Sequence, residues 1–270
     1  MCSSDLEKGA VVWQSYLAKE IGVEGPKWGL ASSPLIVDDL VLVNVGTRGL
    51  AADKATGAVR WNSGGRGASY ASPVLFKQSG VPAVLIFNAR SLAAAELATG
   101  KELWTHAWRT DWDVNAPDPI VTGDQVLITT GYGRGAALLS VAGDKPKVIW
   151  ENQDLSSQFS SLVLVDGCLY GISGNVGGGE ARCLDPATGA IKWSGANTGF
   201  GSLMVADGKL IILNEKGSLI VASAAPDAYK ELWNQKVLNG VCWTVPSLCN
   251  GLIYCRNDKG RLVCLDLSGK

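Results

Sequence analysis

Asp53-Lys-Ala-Thr56-Gly57-Ala-Val-Arg-Trp61 returns, with its spacing intact, as Asp185-Pro-Ala-Thr188-Gly189-Ala-Ile-Lys-Trp193. Glu96, Thr99, Gly100 and Trp104 repeat the phrase with Glu in place of Asp. Asp5, Gly9 and Trp13 keep its spacing, and Trp150 and Trp233 end degenerate copies. Trp13, Trp61, Trp104, Trp150, Trp193 and Trp233 thus follow one another at intervals of 40 to 48 residues. That is the length of one four-stranded blade of a radial repeat architecture.

Inside each period the apolar residues come in short runs, as at 34–37, 40–45, 50–52 and 59–61, which predicts four strands. Polar pairs part the first two: Asp38-Asp39, Gly123-Asp124, Asp166-Gly167, Asp207-Gly208 and Asn250-Gly251. The Thr-Gly pair makes the turn between the third and fourth, where Gly supplies backbone angles a side chain resists. One such sheet cannot bury both faces, and radial stacking does so. A Trp on the outer strand is large enough to wedge between neighbours, with its indole N–H free to meet a carbonyl. The expectation is an all-β chain, a β-propeller of four-stranded antiparallel blades forming a single domain over 1–270. Blades fall at about 28–61, 69–104, 115–150, 158–193, 199–233 and 241–270, with an outer strand at 5–16. The last group supplies three strands and the first only an outer one. Either the two ends join into a closed six-bladed ring, or the chain is a fragment of a ring of about seven or eight blades.

Composition agrees with many short buried strands: 47% of residues are hydrophobic, with 33 Gly and 10 Trp. A formal charge of −1 offers no basic surface for nucleic acid. No apolar run approaches the roughly 18 residues a membrane span needs, and residues 1–10 lack the order of a secretory signal. Cys2-Ser3-Ser4 could alternatively be a mature lipoprotein end, although no lipobox precedes it. Seven Cys without a Cys-x-x-Cys pair or a Cys/His cluster indicate neither a zinc site nor a full disulfide framework. Cys183 and Cys264 share one place in two repeats, where other copies carry Ala52 or Ala95, so a packing role is expected.

The stretches at 51–61 (AADKATGAVRW) and 183–193 (CLDPATGAIKW) resemble the tryptophan-docking motif of PQQ-like propellers. That family includes quinoprotein dehydrogenases, the propeller lipoprotein of outer-membrane assembly and extracytoplasmic repeat proteins. The resemblance covers essentially the whole chain and is specific for fold, whereas one superfold carries unrelated activities. It implies an extracytoplasmic (periplasmic or cell-surface) setting and two functional readings. The favoured one is a non-catalytic binding scaffold, without cofactor, that holds a protein or polysaccharide partner on its loop-rich face. The other is a PQQ-dependent alcohol or sugar dehydrogenase with calcium, whose parts would be Trp112, Arg134, Asp111, Asp113 and Asn115. Against the second, the chain lacks the adjacent Cys-Cys pair that many such enzymes place at the quinone.

In an up-and-down blade the second-to-third turns and the crossings between blades share one face, and the Thr-Gly turns lie on the other. Those second-to-third turns carry Arg48, Arg90, Arg134, Lys216 and Lys259. They are either ordinary solvated turns or a cationic ring suited to an anionic peptide, a carboxylate or an acidic surface. The crossing from Trp104 to Ile120 is long and rich in aromatics and oxygen ligands, the kind of loop where binding residues gather. Asp111, Asp113 and Asn115 match the first three ligands of a calcium loop, but Ala116 replaces its Gly and Thr122 its final Glu. The structural alternative has Trp108 and Trp112 covering a channel mouth, with Asp113, Asn115 and Asp118 capping turns. Gly131-Tyr-Gly133-Arg-Gly135 joins two strands and reads as a turn rather than a dinucleotide fingerprint. His106, the only histidine, follows Trp104 on an outer strand and points to no triad.

Overall fold

Asp53 folds the repeated phrase into a turn. Its Oδ1 accepts from the N–H of Ala55 and Thr56 and from the Thr56 hydroxyl at 2.9–3.0 Å, and the Gly57 N–H donates to its carbonyl at 2.8 Å. Asp185 accepts in the same way from Ala187 and Thr188, and Glu96 accepts from the Thr99 hydroxyl. Arg60 and then Thr56, by hydrogen bonding the Asp53 carboxylate, hold its pKa down at about 2.

The structure, a computed structural model, describes residues 2–4 and 7–267. Blade 1 is Leu35–Val37, Leu40–Val43, Leu50–Asp53 and Val59–Asn62; blade 2 is Val74–Gln78, Val81–Phe87, Ser91–Glu96 and Glu102–Ala107. Blade 3 is Ile120–Thr122, Gln125–Thr130, Gly135–Ser140 and Lys147–Asn152; blade 4 is Val163–Val165, Cys168–Asn175, Gly178–Leu184 and Ile191–Gly195. Blade 5 is Gly201–Ala206, Lys209–Asn214, Ser218–Ser223 and Glu231–Lys236, and the three-stranded blade 6 is Ser247–Cys249, Leu252–Arg256 and Leu262–Asp266. Strands in every sheet follow chain order, the antiparallel meander of a β-propeller blade. Asp5 lies outside the described residues. The strand carrying Trp13 is shorter than expected, Val11–Gln14, and pairs with Cys2–Ser4. It ends because a one-turn helix, Leu17–Glu20, follows it, with the Ser15 hydroxyl donating to Glu20 at 2.7 Å. No helix among the described residues is long and apolar enough to cross a membrane.

The chain forms two compact units: residues up to Val126 with Leu139–Val148, and Leu127–Leu138 with the residues from Ile149 onward. In the first, Leu42, Ala51 and Trp61 of blade 1 pack on Val84, Ile86 and Ala95 of blade 2. In the second, Tyr170, Cys183 and Trp193 of blade 4 pack on Leu203, Ile212 and Ile220 of blade 5, and Ile211 and Leu213 of blade 5 pack on Ile253 and Cys255 of blade 6. Alternation along each strand therefore supplies one face to each neighbour. Burial pushes the Cys183 thiol up to about 12 and the Cys255 thiol to about 11. Cys264, at the place in blade 6 that Cys183 holds in blade 4, is exposed instead, whereas Cys183 packs among Trp193, Leu203 and Ile212.

The indoles join neighbouring blades. Trp13 donates to the Lys54 carbonyl at 2.8 Å, Trp61 to Leu97 at 2.9 Å, Trp150 to Pro186 at 3.0 Å and Trp193 to Ala225 at 2.8 Å, each within the third-to-fourth turn of the following blade. Trp104 departs from this: it donates to Gln78 Oε1 at 2.8 Å, and Gln78 Nε2 passes the link to the Val141 carbonyl at 2.8 Å. The rings of Trp13, Trp61 and Trp150 also lie on the glycine of the turn they meet. A Cβ on Gly57, Gly100 or Gly189 would fall 2.5–2.7 Å from the ring of Trp13, Trp61 or Trp150. Those glycines are thus held by contact as well as by positive φ.

Replacing Trp193 by Ala should lower stability by about 3–5 kcal/mol through the cavity it leaves, measured by denaturant unfolding. Trp233, 40% exposed, should cost under about 1 kcal/mol when replaced in the same way. Because folding lowers the Asp53 pKa from 3.8 to about 2, its stabilisation is complete above the unfolded value and lost as pH falls through the folded one. The stability gap between wild type and Asp53→Asn should therefore shrink over that pH window.

Candidate functional site

The crossing loop after blade 2 is shaped from within by Thr110. Its hydroxyl accepts from the Val114 N–H at 2.9 Å, and its carbonyl from the Asp113 N–H at 3.2 Å. This tight turn forces Asp113 to φ +54°, a conformation uncommon outside Gly, Asn and Asp. The carboxylate is thereby aimed at Arg90, which it meets from Nε and Nη2 at 3.0–3.2 Å. Arg90 is set by Asn88, whose Oδ1 accepts from the N–H of Arg90 and Ser91 at 2.8 Å. Asp113, by hydrogen bonding, raises the guanidinium pKa further.

The base of the loop is buried. Asn115 donates its backbone N–H to the Ser69 hydroxyl at 2.9 Å and its amide to the Asn88 carbonyl at 2.7 Å. Its carbonyl accepts from Tyr70 and Ala71, and its Oδ1 is buried without a hydrogen-bond partner. Asp118 accepts from the Ser72 N–H at 2.6 Å. Trp108 is 1% exposed and its backbone N–H reaches the Arg90 carbonyl at 2.9 Å. Trp112, at the tip, is 56% exposed, and Asp111 beside it is exposed.

Around that tip lies a cleft of about 410 Å³ whose walls include Glu24, Lys27, Arg66, Tyr70, Arg90, Trp112 and Asp113. Lys27 Nζ stands 4.8 Å from the Trp28 ring centroid and 5.2 Å from that of Trp112. Trp28, also 56% exposed, donates its backbone N–H to the Tyr70 hydroxyl at 3.2 Å, and the two rings are tilted with centroids 6.2 Å apart. Arg66 pairs with Glu24 at 3.3 Å and Arg90 with Asp113 at 3.0 Å.

The structure thus brings Arg90, Trp112 and Asp113 together and turns Trp108 and Asn115 inward. The other arginine tips are matched locally. Arg48 pairs with Glu102 of blade 2 at 3.1 Å and Arg134 with Glu151 of its own blade's fourth strand at 2.7 Å, so the positive charge of each is offset by a nearby carboxylate. Lys216 and Lys259 are exposed, on turns whose N–H groups bond Asn214 and Asn257. The loop oxygens do not fit calcium: Asp113 is engaged by Arg90, and Asn115 belongs to the buried base. Among the described residues no three His, Cys, Asp or Glu side chains are gathered so that they could hold a metal ion. Lys27, Trp28, Tyr70, Arg66 and Glu24 escaped the sequence reading. The available signal was Trp28, one of four tryptophans, with Trp108, Trp112 and Trp243, that fall outside the repeat interval.

A family model described as outer membrane protein assembly factor BamB matches residues 1–195. A search of functionally curated proteins gives no match. Among solved structures, BamB from Moraxella catarrhalis superposes with a TM-score of 0.72 at 18% identity, over 97% of this chain and 77% of that one. The designed protein Ika8 gives 0.69 at 11% identity, over 96% and 75% of the two chains. Quinohemoprotein alcohol dehydrogenase from Comamonas testosteroni gives 0.64 at 15% identity, over 84% of this chain and 51% of that one. At these identities the likeness is one of fold.

Asn115→Ala would strip the Asn88 carbonyl of its amide donor at a buried site. It should cost about 1–3 kcal/mol and speed proteolysis within residues 109–114. Wild-type stability and cleavage rate in this variant would show that the loop is held by other contacts.

Proposed function

We propose, since the chain belongs to the family described as outer membrane protein assembly factor BamB, that it is a non-catalytic extracytoplasmic module that binds a protein partner on its loop-rich face. The observation that carries this reading is the cleft lined by Tyr70, Arg90 and Trp112, with the exposed Trp28 beside Tyr70. Trp, Tyr and Arg are the residues that dominate binding energy at protein interfaces. Trp112 stands on a loop whose base is fixed by Asn115 and Asp118, and Arg90 on a hairpin set by Asn88, so little ordering of these two remains to be done on association.

A protein partner is favoured over a polysaccharide by the state of the carboxylates. Sugar hydroxyls need open acceptors beside a stacking ring, whereas Glu24 and Asp113 are already engaged by Arg66 and Arg90. The quinone-dependent reading is less favoured on similar grounds. Its proposed parts Asp113 and Arg134 are committed to Arg90 and Glu151, and Trp112 has the Lys27 ammonium over its ring.

Photo-crosslinking from position 112 in cell-envelope extracts should yield a discrete protein adduct, absent when the reactive group is placed on the exposed Thr-Gly turn at Ala55. Added PQQ and calcium should leave no quinone absorbance after gel filtration. Retained quinone accompanied by alcohol or sugar oxidation would overturn the proposal.

A further inference from the structure

We propose that the Lys27 ammonium, held between Trp28 and Trp112, is the recognition point for an acidic, apolar-flanked segment of the protein partner; this rests on the reading of the chain as a binding module. The charge around the cleft comprises three cations, Lys27, Arg66 and Arg90, and two carboxylates, Glu24 and Asp113, leaving +1. Both guanidinium groups are matched, at 3.3 and 3.0 Å. Lys27 has no carboxylate partner among the described residues. It faces two indoles at 4.8 and 5.2 Å, and those rings accept no N–H of it in the sense a carboxylate would.

An arriving glutamate or aspartate would complete the one cation left unpaired without disturbing either arginine. A basic segment would have to displace Arg66 or Arg90 from its carboxylate, and a phosphate would compete with the carboxylates that Arg66 and Arg90 already hold. The neighbours of that acidic residue would lie against Trp28 and Trp112, whose surfaces remain half exposed with Lys27 in place. Flat apolar side chains such as proline suit them, because rigid rings cover large area with little loss of freedom. The partner chemistry is therefore a carboxylate set between apolar residues, bound more weakly as salt rises.

A fluorescently labelled, end-blocked peptide of alternating glutamate and proline tests this by anisotropy. Wild type should bind it. Lys27→Gln should weaken binding about tenfold, Lys27→Glu and Trp112→Ala at least as much, and Trp243→Ala, an exposed indole outside the cleft, not at all. Equal melting temperatures among the variants keep folding out of the comparison. Absence of binding to wild type, equal binding of the glutamine-proline peptide, or an affinity unchanged in Lys27→Gln would each overturn the proposal. So would displacement of the peptide by a neutral glucose oligosaccharide that is indifferent to Lys27→Gln. Should Lys27→Glu still form the envelope crosslink from position 112, the acidic-segment proposal fails while the binding-module reading stands. Quinone retention with substrate oxidation defeats that reading whatever the peptide does.

Discussion

Everything in this fold depends on an indole N–H reaching a carbonyl in the turn of the following blade. Trp61, Trp150 and Trp193 make that bond at 2.8–3.0 Å, and the rings of Trp61 and Trp150 lie against Gly100 and Gly189, where a Cβ would collide. A fourth strand is the edge of its own sheet, and a bare edge tends to pair with whatever it meets. The tryptophan instead gives that edge a specific neighbour, while the Asp-x-x-Thr-Gly turn shapes the seat. Two halves of one motif thus act on different blades: its turn receives the preceding indole and its own indole is sent forward. The Trp104–Gln78–Val141 relay keeps the link where the direct bond is replaced, showing that the constraint is the connection rather than one acceptor.

This division explains how much of the molecule could be read in advance. Period, blade number and turn positions follow from local pattern, because enough copies keep the same turn and the same anchor for the interval to show. The short helix Leu17–Glu20 escaped because it belongs to no copy. Loop residues were harder still. Trp108 and Trp112 are the same residue four positions apart, and one is 1% and the other 56% exposed; with no strand alternation there, nothing local marks inside from outside. Arg48, Arg90 and Arg134 were placed on hairpin tips by the repeat, yet their carboxylates come from Glu102, Asp113 and Glu151, 17 to 54 residues away. Such pairs form only when the scaffold folds.

Belonging to a family that is defined by its repeat says more about the frame than about what it holds. The same architecture superposes on an assembly factor and on a dehydrogenase, and the difference must lie in the loops. Here the distinguishing loop is a rigid one. Its base is closed by Asn115, Ser69 and Asp118, and its tip offers Trp112 to solvent beside the Lys27 ammonium. The left-handed backbone of Asp113 is the local strain accepted to aim one carboxylate at Arg90, and strain of this kind tends to persist where it serves a site.

Asn88, Asn214 and Asn257 each end a second strand and bind, through Oδ1, the N–H groups two and three or four positions on. The residue at the first of those positions, Arg90, Lys216 or Lys259, gives only its main chain to the hairpin. The Lys216 and Lys259 side chains are exposed on their tips, and that of Arg90 reaches across to Asp113 of the next loop. Mutation at these sites can therefore rewrite the charge and shape displayed to the surroundings while the asparagine conserves the frame. That arrangement lets one repeat acquire new clients at little risk to its folding.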